Sequence, residues 1–121
     1  MISAGRTALL DVLTAAGIRA SSVVPERVTP PLSVIQPASD WVTGGDTYGT
    51  YRLGFEVTVI VQTAANAKVS QTLDDAIDQV LTAVSGAQGF YVGSVGAPSI
   101  LSVQNAEFLS ATLTVYQNTR L

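Results

Sequence analysis

Between Tyr51 and Gln62 the chain alternates residue by residue. Tyr51, Leu53, Phe55, Val57, Val59 and Val61 fall on one side of an extended backbone; Arg52, Gly54, Glu56, Thr58, Ile60 and Gln62 fall on the other. The pattern predicts a long strand with one buried and one largely polar face, as in an antiparallel or mixed sheet covered on one side. Phe108 to Tyr116 repeats it, with Leu109, Ala111, Leu113 and Val115 alternating against Ser110, Thr112, Thr114 and Tyr116. Elsewhere the period is helical. Leu9, Val12, Leu13 and Ala16 recur at three- and four-residue spacing, predicting a helix from Ser3 to Ala16 with Gly17 as its C-terminal cap. Val69, Leu73, Ile77, Val80, Leu81 and Val84 form the stripe of a second helix, Asn66 to Val84, ended by Ser85-Gly86.

Shorter strands are expected at Ile18–Val24, Leu32–Gln36 and Phe90–Val95, with Ile100–Val103 a further candidate outside the order below, and Thr43–Thr50 ("TGGDTYGT") reads as a loop. The resulting fold class is α+β: a single domain over residues 1–121, with a mixed or antiparallel sheet and two helices packed on one face. The expected order is α-β-β-β-α-β-β. Four of the five prolines lie in "VPERVTPPLSVIQPASDW", Val24 to Trp41. Proline fixes φ and cannot donate a hydrogen bond, so this stretch is an extended arm leading into an edge strand.

Composition narrows the function classes. Only 12% of residues are charged and 47% are apolar, as in a subunit partly covered by neighbours. The net charge of −3 and the scattered basic residues argue against nucleic-acid binding. The chain contains no cysteine and no histidine, which removes disulfides, thiolate or imidazole metal ligands and Ser-His pairing. Asp11 interrupts the first apolar run, so no signal peptide is expected at the N-terminus. No run approaches the roughly 18 apolar residues that span a bilayer.

Candidate sites are few. Asp74, Asp75 and Asp78 form the one acidic cluster, read first as a solvated helix face and second as a contact for a basic partner. Gly86, Gly89, Gly93 and Gly96 lack the Lys-Ser/Thr of a phosphate loop and read as turn glycines. Arg52 and Glu56 share a strand face and read as a surface ion pair, worth ~0–1 kcal/mol. Trp41 is either core, the first reading, or an interface anchor. No cofactor or metal is expected.

The order of these elements resembles the small tail terminator proteins (tail completion, or tail-to-head joining) of long-tailed bacteriophages. The arm "P-x-R-x-x-P" is matched by Pro25, Arg27 and Pro30, the long strand by Phe55–Val61 and the closing strand by Leu109–Tyr116. The resemblance implies a non-catalytic virion subunit, found at the head-proximal end of the tail and in the host cytoplasm during assembly. Such a subunit forms a homo-oligomeric ring, commonly a hexamer, that caps the tail tube, ends its polymerisation and presents a surface to the head. Its implied partners are copies of itself, the tail tube protein and a head-tail connector or head-closure protein. DNA passes through without specific binding, and no membrane is involved. Candidate subunit or tube contacts are Pro25, Arg27, Pro30, Trp41, Asp46, Tyr48, Arg52, Asp74 and Asp78. The alternatives are another head-tail joining subunit (head closure or tail tube) and a small ligand-binding or regulatory α+β domain.

Overall fold

The structure is a computed structural model that describes residues 2–23, 30–45, 48–62, 67–103 and 106–120, with backbone alone at 67–70, 103 and 120. Eight elements follow one another: α1 (Ile2–Ala15), β1 (Ala20–Ser21), β2 (Leu32–Gly44), β3 (Thr50–Gln62), α2 (Ala67–Ser85), β4 (Phe90–Val95), β5 (Ser99–Val103) and β6 (Ala106–Arg120). The six strands form one mixed sheet in the order β1-β2-β3-β6-β4, with β5 also pairing β6. Among these pairings only β1–β2 is parallel. The α+β class therefore holds, with one more strand than the expected order, because Phe90–Val95 and Ser99–Val103 pair with different halves of the long β6.

α1 stops where its sequence says it should. Gly17 takes φ 81, its N–H donates to Thr14 O, and the Ile18 N–H reaches back to Leu13 O. These two bonds satisfy carbonyls that the helix end would otherwise leave unpaired.

β3 pairs with β6 over the whole length of β3, which brings Phe55 opposite Val115, Val57 opposite Leu113 and Val59 opposite Ala111. These residues join Leu9 and Leu13 of α1, Ile35 of β2 and Leu73, Val80 and Val84 of α2 in one buried cluster. The second sheet face is not polar throughout. Leu32, Val34, Ile60 and Phe108 form a smaller buried cluster there, with Leu101 packed against it. Alternation along β3 alone gave Ile60 to a polar face; its apolar neighbours arrive from β2 and β6, which no local pattern reveals.

β1 is shorter than the expected Ile18–Val24. β2 is far longer than Leu32–Gln36 and continues through Pro37 to Gly44, so Thr43, Gly44 and Thr50 belong to strands rather than to a loop. The cause is a bulge. Pro37 pairs with Phe55 and Val42 with Leu53, so Ala38, Ser39, Asp40 and Trp41 stand opposite the single residue Gly54. Proline is tolerated at such a site because β2 is flanked on its outer side by β1 only at Ser33 and Val34. Pro30, joined to Pro31 by a cis peptide bond, is half-buried just before β2. Pro25, Arg27 and Asp46 lie outside the described residues.

Candidate functional site: an arginine–tyrosine cluster at two bulges

Two glycines flank Tyr116 on the second sheet face. Gly54 of β3 is its cross-strand partner, and Gly93 of β4 is the extra residue of a second bulge, between Val92 and Ser94. Neither glycine is at a left-handed turn; each is needed for space. A Cβ at Gly54 would stand 2.7 Å from Asp40 O, where the β2 bulge crosses over. A Cβ at Gly93 would enter the Tyr116 ring. Gly93 is thus a packing glycine inside a strand, not the turn glycine its sequence context suggested.

The space is used by a connected set of side chains. The Asp40 carboxylate accepts from the Arg52 guanidinium and from the Tyr116 hydroxyl, each at 3.2 Å. Arg52 Nε donates to Thr43 Oγ1 at 3.2 Å, and its guanidinium carbon lies 4.4 Å from the centre of the Tyr116 ring. Tyr91 packs on Tyr116 with ring centres 5.4 Å apart. Beside this set, Thr58 and Thr112 share a hydroxyl hydrogen bond across β3 and β6. Arg52 therefore pairs with Asp40 and not with Glu56, as the shared strand face had suggested, because the bulge carries the Asp40 carboxylate over Gly54.

Electrostatics follow the geometry. A hydrogen bond to Tyr91, with further support from Tyr116 and Asp40, holds the Arg52 guanidinium more firmly protonated than usual. Partial removal from water, then the bond to the Asp40 carboxylate, pushes the Tyr116 phenol up. A raised phenol pKa means that folding favours the protonated form. Its contribution to stability is present at neutral pH and is lost as pH rises past the ordinary tyrosine value, about 10, through the higher folded value. Absorbance titration of the folded protein should accordingly show a tyrosine ionisation later than that of an ordinary tyrosine. In Asp40→Asn that late step should move down towards the ordinary range; an unchanged curve contradicts the bond.

The other candidates are spread out. Trp41 is not core: 37% of it is exposed, and the Arg6 guanidinium lies 5.9 Å from its ring centre. Tyr48 is fully exposed at the β2–β3 turn. Tyr48→Ala should therefore leave the thermal midpoint within about 2–3 °C of the parent, since surface changes usually stay within ±0.5 kcal/mol. A clear drop in the melt would contradict that placement. Asp74 and Asp78 are exposed, as expected of a solvated face, and they also border a groove of about 380 Å³ between α2 and the segment from Val95 to Pro98. Asp75, Asp78 and Gln79 border a second groove of similar size against Ala16, at the end of α1.

The bulge cluster brings Arg52 from the sequence-expected set together with Asp40, Thr43, Tyr91 and Tyr116. A glycine inside an otherwise strong strand was the available signal, since it marks a bulge or a close backbone approach. The cluster's groups are bonded mainly to one another, which makes it a fixed aromatic and charged surface with Tyr91 40% exposed at its margin. Among the described residues no group of carboxylates is arranged to hold a metal ion, and no helix is long and apolar enough to cross a membrane. In comparison with known proteins, the chain matches no protein-family model and no curated protein sequence.

Proposed function

We propose that the chain is a non-catalytic subunit of a bacteriophage tail, which caps the finished tail tube as a ring, ends its polymerisation and offers a surface for head attachment. The observation that carries this reading is the element order. A helix, a short strand, β2, the long β3 and α2 come in turn, and after β4 and β5 the long β6 follows, broadly the order that the resemblance to tail terminator proteins implies. The exposed Arg, Tyr and Trp side chains of β2–β4 suit contacts with neighbouring subunits or the tube, since these residue types dominate interface energetics. The net charge of −3 suits a conduit through which DNA must slide rather than stick.

Phage lacking the protein should accumulate filled heads together with tails of faulty or variable length that fail to join. Normal tails with a defect confined to DNA packaging would overturn the reading. That outcome would favour a joining protein on the head side.

A further inference from the structure

Large apolar side chains are exposed at the two margins of the sheet. Val23 follows β1, Trp41 and Val42 lie on β2, and Tyr48 sits in the β2–β3 turn; Tyr91, Val95 and Ile100 lie on β4 and β5. Among the described residues, none is on α1, α2, β3 or β6. The two margins also differ in charge. Beside Trp41 lies Arg6, which has no ion-pair partner among the described residues and whose buried Nε–H has no acceptor there. At the other margin the groove under α2 has an apolar floor of Leu73, Ile77, Val95 and Pro98, with the exposed carboxylates of Asp74 and Asp78 at its rim.

We infer that the Arg6–Trp41–Val42 surface of one copy docks into the Asp74–Asp78 groove of a second copy of this chain. A cation stacked on tryptophan, next to an exposed valine, complements a groove that is apolar below and anionic at its edge. β2 and β4 are separated by β3 and β6 in the sheet, about 14 Å at ~4.8 Å per strand, so Trp41 and Val42 lie on the opposite margin from Val95. The contact is therefore head to tail. Each copy keeps one free surface of each kind, and the assembly either closes into a ring or continues as a filament. This names the subunit contact of the proposed ring and rests on that reading for closure, while the contact itself is measurable on the isolated chain.

The test uses the purified full chain and sedimentation velocity over a concentration series. Arg6→Glu places a carboxylate against the acidic groove, and the double variant Asp74→Lys/Asp78→Lys places two lysines against Arg6. Each should weaken self-association by roughly tenfold or more. Mixed in equal amounts, the two proteins should regain it. The carboxylate introduced in one variant then meets the lysines of the other, and Arg6 of the second meets the aspartates of the first, in alternation. If either patch bound its own kind, like charge would merely replace like charge, and neither variant alone would lose association. A parent chain that stays monomeric throughout, variants that associate like the parent, or a mixture of folded variants that stays apart would each overturn the inference. If Arg6→Glu does not fold, the lysine variant still decides: added to the parent, it should cap assemblies at one end and lower their mean size, and an unchanged size overturns the contact. If the contact fails while tails are still capped, this inference alone is lost and the tail reading stands.

Discussion

Phe55→Ala should lower the thermal midpoint by roughly 10–20 °C, the equivalent of about 3–5 kcal/mol for a truncated core aromatic. Phe55 is completely buried, pairs with Pro37 on one side and Val115 on the other, and belongs to the cluster that ties both helices to the sheet. Removing its ring leaves a cavity lined by side chains from several elements, which cannot all move inward together. Domains of this size have about 5–15 kcal/mol of stability in total, so the loss is a large fraction of it. Phe55→Leu keeps most of the volume and should cost less than about 1.5 kcal/mol. Thermal melts of the two variants followed by circular dichroism check this; equal shifts would mean that the site tolerates a void.

Gly54→Ala should destabilise the protein by about 1–3 kcal/mol, although alanine is ordinarily no worse than glycine in a strand. The added methyl would stand 2.7 Å from Asp40 O and 3.3 Å from both Ala38 Cβ and Asp40 Oδ1. Backbone atoms on one side and a strand on the other leave no flexible group to swing away, so the β2 bulge has to lift. With it goes Asp40, and with Asp40 the shared bonds of Arg52 and Tyr116. Gly54→Ala should therefore reproduce the Asp40→Asn shift in the tyrosine titration, which a purely local packing loss would not do. Gly44→Ala, where no atom lies within 4 Å of the new methyl, is the matched control and should be close to neutral. Urea unfolding of both variants, alongside the titration, tests the bulge account; a neutral Gly54→Ala would contradict it.

The elements with strong local signatures were legible in the sequence. α1 ends at the glycine that its periodicity demands, and the alternation of β3 and β6 is reproduced in their register. What escaped local reading is what β3 imposes on its neighbours. Pro37 and the glycines after Thr43 look like breakers, yet β2 continues past Pro37 because β3 offers a full ladder and a bulge absorbs the mismatch. Likewise Asp40 and Tyr116 lie 76 positions apart and meet only because β2 folds over Gly54. The apolar cluster of Leu32, Val34, Ile60 and Phe108 draws on three strands, none of which shows a second apolar stripe by itself. For the site, Arg52 was found with the wrong partner. Gly54 was the residue that pointed to the right one.

The most direct test of the tail-cap reading is electron microscopy of purified tails, assembled with and without the protein. Tails that carry it should end in a ring of added density at the head-proximal end only, with uniform tube length and the capacity to join filled heads. Protein spread along the tube, or tails that stop at the same length and join heads equally well without it, would contradict the account.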